Sequence, residues 1–329
     1  KSLPSIYGAS EPQMNANNLR TKGYELVLGW RDSFKLAGST FSYGITGTFS
    51  DYTAEYTKCD NPTGLIGDPY VGKKYGEIWG YKVDGLFRND KEAAEYASRI
   101  DLSTVASGYY TATGAYGKGV RGGDIKYLDL NGDNIVNGGK GTLDDPGDRR
   151  VIGNSSPRYQ YGASLNFSWY GFDVSVFMQG IGRLDWYPGA DNLRFWGPYC
   201  RPYATFVPKN FMSQVWSEEN PDAYFPRARA YTSLNSNSGT AYYTNDRYLQ
   251  NLAYCRLKNL TIGYTIPRRL TSKVGIKECR IYFSGENLAT WSALKSDFLD
   301  PEQAAADSDK KANVYPWCKT YSIGLNLTF

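Results

Sequence analysis

Apolar and small polar residues alternate strictly along seven segments of this chain. In residues 319–329, for example, Ile323 and Leu325 alternate with Ser322 and Gly324. Because side chains two positions apart on a β-strand share a face, each segment predicts a strand with one apolar and one polar face. The seven segments are residues 19–30, 40–50, 160–169, 172–179, 260–266, 279–284 and 319–329.

The polar faces of these segments distinguish two kinds of β-sheet. A strand that covers a soluble core usually carries Lys and Glu on its outward face, whereas these faces carry mainly Ser, Thr, Gly, Asn and Gln. Counted from Tyr24 in the first segment and from Tyr321 in the last, and leaving aside the segment that ends at Ile266, the apolar faces carry no charged residue. A lipid-facing Arg or Lys at mid-bilayer costs roughly 2 to 4 kcal/mol, so lipid exposure would enforce such an exclusion. The pattern therefore predicts the wall of a wide transmembrane barrel. For residues 319–329 alone, a half-buried strand of a soluble sandwich fits equally well.

One segment departs from the pattern. Arg256 and Lys258 share the parity of the apolar Leu260. Either a bulge shifts the register near Asn259, or the two charges lie above the hydrocarbon at the level of the lipid headgroups.

Connection lengths predict the orientation of the strands. Barrels of the outer membrane have short periplasmic turns and long external loops. Strict alternation puts three short connections on the periplasmic side: residues 31–39, 170–171 and 267–278. It puts three long ones outside: residues 51–158, 181–247 and 288–318.

The same alternation limits the number of strands. Each long gap must contain an even number of further crossings. Residues 51–158 have room for two more strands, one of them around residues 77–87, and residues 181–247 have room for two more. The total is therefore odd and roughly seven to eleven. Because the number is odd and the chain begins outside, we expect further barrel sequence upstream of Lys1. Trp30, Trp169 and Tyr170 are expected at periplasmic strand ends, and Trp291 and Trp317 near outer ends, as an interfacial aromatic belt.

Composition excludes several classes of function. The 329 residues are 41% apolar, and no apolar run approaches the ~20 residues of a transmembrane helix. A net charge of +4 does not indicate a nucleic-acid partner. Histidine is absent, which excludes Ser-His-Asp catalysis and most zinc chemistry. The five scattered cysteines indicate packing residues and not a disulfide framework.

Six motifs, in their order along the chain, resemble the C-terminal part of SusC/RagA-type TonB-dependent transporters. They are LRTKGYEL (19–26), GEIWGY (76–81), GDIKY (123–127), RRVIGNS (149–155), RLKNLTIGY (256–264) and YFSGENL (282–288). The resemblance covers nearly the whole chain. It implies an all-β fold in which residues 1–329 are an antiparallel segment of a 22-stranded transmembrane barrel with long extracellular loops.

The resemblance also implies a function. A transporter of this family has an N-terminal plug domain and a TonB box, and no segment of this chain resembles either. The expected function is energised uptake of oligosaccharides or oligopeptides across the outer membrane, without catalysis. The expected partners are membrane lipid, a SusD-like surface lipoprotein and, through the missing N-terminal part, the TonB complex. A passive porin and a soluble carbohydrate-binding β domain are the alternatives, and the substrate is not readable from the sequence.

One loop has the spacing of a calcium site. Oxygen ligands at alternate positions of a loop converge on a hard cation, as at the start of an EF-hand loop. Asn134 replaces the usual Gly, and Lys140 stands where a closing acid is expected; Asp144 and Asp145 are rivals for that closing position. The predicted ligands of a structural Ca²⁺ are Asp129, Asn131, Asp133, Ile135 and Asp148. The alternative is a solvated loop of Asx turns without an ion.

Two further groups of loop residues are candidates for contacts. Aromatic residues in the gap 181–247 either stack on a ligand or partner, or pack a core of the loop itself. They are Trp186, Tyr187, Trp196 and Tyr199, with Phe195 and Tyr203 beside them. The acid pairs Glu218-Glu219 and Asp300/Glu302 have the composition of a glycosidase pair, but their polar loops predict solvated charge.

Overall fold

The computed structural model describes residues 17–111, 119–200, 207–229, 242–296, 298–306, 315 and 317–329. Strands dominate. They are β1 Asn18–Leu36, β2 Ser39–Lys58, β3 Glu77–Tyr81, β4 Val83–Leu86, β5 Ile125–Tyr127, β6 Arg149–Asn154, β7 Arg158–Trp169, β8 Phe172–Arg183, β9 Asp185–Trp186, β10 Gln250–Asn251, β11 Tyr254–Thr265, β12 Glu278–Ser292 and β13 Thr320–Thr328. The helices are short: α1 Asp90–Ala97, α2 Ser107–Thr111, α3 Leu193–Trp196 and α4 Arg268–Thr271. Within the described ranges, no helix has both the length and the apolar character needed to cross a membrane.

Seven long strands form one sheet, hereafter the wall. Its order is β1-β2-β7-β8-β11-β12-β13, and every neighbouring pair is antiparallel. All seven strands predicted from the alternation are therefore confirmed. The additional crossing predicted around residues 77–87 is wrong, because that stretch forms β3 and β4, which belong to two small sheets outside the wall.

The first hairpin is longer than the sequence pattern predicted. Pairing continues to Leu36 and Ser39, so the predicted connection 31–39 shrinks to the turn Ala37-Gly38. Both turn residues have positive φ, 48° and 83°, which is the twist of a type I′ turn and matches that of the two strands. Trp30 consequently lies inside β1 and not at its end.

The three short connections lie together at one end of the wall, as predicted. The indole N–H of Trp169 donates to the Leu36 carbonyl at 3.3 Å, and the Tyr170 hydroxyl donates to the Ala37 carbonyl. On the other side of this turn, the amide of Thr265 donates to the Gly171 carbonyl at 2.8 Å. These bonds bring the ends of three hairpins to one level.

β11 contains the bulge predicted near Asn259. Its pairing with both neighbours shifts between Leu257 and Asn259. The extra residue is Lys258, and it reverses the side-chain parity of everything before it. Arg256 therefore lies opposite Gln179, on the polar face of the wall. The alternative, in which these charges remain on the lipid face at headgroup level, is wrong.

The long connections fold together at the opposite end into one body, hereafter the loop domain. Its hydrophobic core draws on the three long connections, which the sequence pattern treated as separate loops. Fully buried members include Phe87, Tyr109, Tyr127, Trp196, Tyr248 and Leu252. Burial of this many large side chains gives the loops a core of their own.

Candidate functional site: the inner wall and the loop domain

One face of the wall carries large apolar side chains, as suits contact with lipid, and the other carries small polar side chains, as suits contact with water. The apolar face is exposed: Ile323 is 84% and Trp30 63% accessible, although both are large hydrophobic residues. The opposite face carries a row of small polar side chains in register across five strands. The row is Asn166, Ser175, Thr261, Ser284 and Ser322.

An ion pair crosses the inner face near the turns. Arg280 on β12 reaches Asp173 on β8, with Nε–Oδ1 at 2.8 Å and Nη2–Oδ2 at 2.5 Å. The strand between them, β11, presents Gly263 at this level, and a Cβ there would collide with both partners. The glycine therefore leaves the space that the guanidinium occupies.

A second and more buried cluster joins the wall to the β12–β13 connection. Arg256, which is only 2% accessible, donates to Asp300 at 2.6 Å and to Glu302 at 2.7 Å. Lys258 adds a bond to Glu302 at 2.8 Å. Two cations and two carboxylates thus balance. The prediction of solvated charge is wrong for Asp300 and Glu302.

The other acid pair is different. Glu218 and Glu219 are both exposed, as predicted for solvated charges. In the described part of the chain neither pair is arranged as two free carboxyl groups facing one cavity, because Asp300 and Glu302 are each bonded to a cation. The geometry gives no support to glycoside hydrolysis, which needs an acid and a base or nucleophile free to act.

The four aromatic residues predicted as contact candidates lie inside the loop domain. Trp196 is fully buried, and its indole N–H donates to the Gly189 carbonyl at 2.9 Å. Trp186, Tyr187 and Tyr199 are each less than 8% accessible. This packing favours the second of the two alternatives, a core of the loop itself. Contact of these rings with a ligand stays a prediction, and Tyr203 lies outside the described residues.

The predicted calcium loop is a turn closed by hydrogen bonds from backbone amides to its own side chains. Asp129 accepts the amides of Gly132 at 2.7 Å and Asn134 at 2.9 Å. Asn134 adopts φ 67° at the position where Gly is usual, a conformation that Asn tolerates. Asp133 accepts the amide of Ile135 at 2.8 Å. Four of the predicted ligand positions, Asp129, Asn131, Asp133 and Ile135, thus lie on one compact turn.

Asp148 closes this loop from a distant position in the sequence. It is fully buried, and its carboxylate accepts the amides of Leu130 at 2.7 Å and Asn137 at 2.9 Å. Within the described ranges no group of three or more His, Cys, Asp or Glu side chains is placed to hold a metal. Amide and carbonyl oxygens are also calcium ligands, so the Ca²⁺ prediction stays a prediction.

A buried ion pair holds two parts of the loop domain together. Arg229 bonds Asp124 at 2.7 Å, and its guanidinium lies 4.2 Å from the centre of the Tyr109 ring. Burial raises the pKa of Asp124 to about 6, and the attraction of Arg229 offsets part of that rise. Elsewhere in the domain, burial raises the pKa of Tyr70 to about 12, with a contribution from its bond to Glu77.

Sequence reasoning missed the charged contacts between distant segments. Asp51 on β2 and Arg158 on β7 form a bidentate pair at 2.5 and 2.6 Å. The pair Asp124–Arg229 and the cluster around Arg256 join residues at least 44 positions apart. The available signal was the parity of two charges, Arg256 and Lys258, which is that of the apolar Leu260.

Comparison with known proteins places the chain. No family model matches it. Two curated relatives from Formosa agariphila, TonB-dependent receptor P3 and TonB-dependent receptor P26, are 24% and 26% identical to it over 99% of its length. The chain is thus similar to TonB-dependent receptors over almost its whole length. It spans only 30% and 31% of the length of these two relatives.

Solved structures agree on the fold of this chain. The RagAB peptide transporter superposes with a TM-score of 0.61 at 18% identity, over 100% of this chain and 31% of that one. The RagAB peptide importer in its open-open state gives 0.60 at 18% identity, over the same shares. At this identity the likeness shows the fold, which is an antiparallel segment of a transmembrane barrel.

Proposed function

We propose that this chain supplies wall and outer loops to an outer-membrane importer of oligomeric nutrients, either oligosaccharides or oligopeptides. The observation that carries the proposal is the contrast between the exposed apolar face and the small polar inner face of the wall. Lipid contact requires the first, and a hydrated route through the barrel requires the second. The chain itself performs no reaction.

The relatives support energised import. Their name, TonB-dependent receptor, and the printed description of RagAB as a peptide transporter belong to proteins of which this chain spans about a third. We extend to this protein a TonB-coupled N-terminal part, a SusD-like surface lipoprotein that covers the loop domain, and location in the outer membrane. A bound Ca²⁺ in the Asp129 loop is part of the same proposal, with a structural role.

Uptake in cells tests the proposal. We expect deletion of the full-length gene to abolish uptake of a fluorescent oligosaccharide or oligopeptide, and loss of TonB or addition of a protonophore to have the same effect. Uptake that persists without TonB indicates the alternative, a passive porin. Partition of the purified protein into the aqueous phase of a detergent extraction would contradict a membrane wall and favour a soluble carbohydrate-binding domain.

A further inference from the structure

Part of the β12–β13 connection lies on the inner face of the wall, hereafter the strap, residues 298–306. Its acids contact three wall residues that all belong to the inner face. Asp300 and Glu302 bind Arg256, and Glu302 also accepts a bond from Gln179 at 3.3 Å. Arg256 in turn donates to the hydroxyl of Thr290 on β12 at 2.9 Å. The strap therefore bridges β8 and β11 from inside the barrel, and Arg256 links it indirectly to β12.

The height of the strap follows from the pairing of β11 and β12. Arg256 pairs with Thr290, one position from Trp291, whose ring is 57% accessible on the outer face. A Trp at the lipid-facing surface near the outer strand end marks the membrane interface. The strap therefore lies inside the channel at the level of the outer interface, and not above the membrane with the rest of the loops.

The strap is an ordered turn. The Asp300 carboxylate accepts the Glu302 amide at 2.9 Å with one oxygen while the other binds Arg256. The amide of Ala304 donates to the Asp300 carbonyl at 2.8 Å. Leu299 and Ala304 are buried. One residue, Asp300, thus both shapes the turn and attaches it.

All four charges of the cluster, those of Arg256, Lys258, Asp300 and Glu302, take part in ion pairs that attach the strap to the wall. Asp300 and Glu302 are the only charged residues of the strap sequence, and both face the cations of the wall. Ala305 and Ala306 are exposed. The strap therefore exposes small uncharged side chains to a molecule that moves through the channel.

We propose that the strap is a fixed constriction that limits the cross-section of imported oligomers. Packed layers of backbone lie about 10 Å apart, so a turn lying on the wall narrows the channel by about that distance. Arg256 and Lys258 act as positioning residues. Their ion pairs with Asp300 and Glu302, hereafter the clasp, hold the strap against the wall. Arg256 is buried and Lys258 is part-buried, and release of the strap would leave both charges unpaired, so the clasp stays closed. This inference rests on the proposed import function.

The experiment uses the full-length protein and two paired variants. Asp300→Asn/Glu302→Gln removes the clasp, whereas Asp173→Asn/Arg280→Gln removes one ion pair from the same inner face without touching the strap. In hydrogen–deuterium exchange, we expect residues 298–306 to exchange at least ten-fold faster in the first variant and at the wild-type rate in the second. Glu302→Asp keeps a carboxylate beside both cations and guards against a variant that misfolds, because it should keep the exchange of residues 298–306 nearer the wild-type rate.

The second measurement is uptake by cells of a fluorescent ladder of linear and branched oligosaccharides and peptides. We expect the clasp variant to admit the bulkiest branched members that the wild type excludes, with unchanged uptake of the smallest ones. Unchanged exchange of the strap, or faster exchange with an unchanged size limit, overturns the inference. If the wild type imports no member of the ladder, the import proposal fails and exchange alone decides whether the strap is clasped.

Discussion

The guanidinium of Arg280 passes over Gly263 to reach the carboxylate of Asp173, so an ion pair spans three strands where one residue lacks a side chain. The glycine is thus required by the space its neighbours occupy. The same relationship gives a direct test of how the inner wall is built.

Gly263→Ala is expected to destabilise the barrel by about 0.5 to 1 kcal/mol, because the added methyl group meets the mobile ends of Arg280 and Asp173 and displaces their part-exposed ion pair. Heat-induced loss of the folded band on a gel, or calorimetry in detergent, measures the shift. Gly29→Ala is the control, since a Cβ there meets only the Thr46 hydroxyl at an ordinary 3.7 Å. Equal losses of stability in the two variants would contradict an Arg280–Asp173 ion pair that passes over Gly263.

Arg256→Met is expected to destabilise the attachment of the strap by about 3 to 5 kcal/mol, because two carboxylates keep a single cation, Lys258. Adding Asp300→Asn to Arg256→Met should return part of that loss, since it removes one unpaired charge. Limited proteolysis of residues 298–306 reports the result. A double variant as sensitive as the single one would show that charge balance is not what holds the strap.

Trp196→Ala is expected to destabilise the loop domain by about 3 to 5 kcal/mol, because the indole is fully buried in its core. Met212→Ala, at a 69% accessible side chain, should have little effect. Amide exchange of the loop core around Tyr248 distinguishes them. Normal protection with lost ligand affinity in Trp196→Ala would instead support the contact role predicted for this residue.

The stability of the loop domain should depend on pH through Asp124. Its pKa rises from 3.8 to about 6 on folding, so the folded domain holds a proton that the unfolded chain releases in this interval. The contribution of Asp124 to stability is therefore complete below pH 3.8 and is lost as the pH rises through about 6. Thermal melting between pH 4 and 7, compared with Asp124→Asn, measures this slope. Glu218→Gln, at an exposed acid, should leave it unchanged.

Calcium should stabilise the loop domain if the Asp129 loop binds it. At a hundred-fold excess over its dissociation constant, a ligand adds about 2.7 kcal/mol. We expect addition of Ca²⁺ to a chelated sample to raise the melting temperature, and Asp133→Asn to weaken that response while keeping the acceptor for the Ile135 amide. An unchanged melting temperature in the wild type would argue for a loop closed by Asp148 alone.

The sequence predicted the wall well because period-two alternation is a local signal with a simple cause. Each side chain of residues 319–329 is apolar or polar according to the environment that it faces, lipid or water, and this does not depend on distant segments. Even the exception was informative, since the parity of Arg256 and Lys258 left two explanations, a bulge or a headgroup position, and the register of β11 shows the bulge. The turn Ala37-Gly38 was missed because Arg31 and Asp32 interrupt the apolar pattern while the strand continues.

The loop domain was much less predictable, because its contacts join distant positions. Nothing local to Asp124 indicates that Arg229 will cover it, and nothing local to Asp300 indicates Arg256. The aromatic residues around Trp196 signal either a ligand surface or a core, and only the placement of neighbouring chain segments decides between them. Composition showed that these loops contain core-forming residues without showing how they fold together.

The bulge at Lys258 has a consequence for how this wall tolerates change. If β11 kept Lys258 but lost the bulge, plain alternation would turn Arg256 toward hydrocarbon and Leu257 toward the channel. A register shift of one residue thus exchanges the lipid-facing and channel-facing side chains of half a strand. Length variation should accordingly accumulate in the connections and be rare within the membrane-crossing stretches.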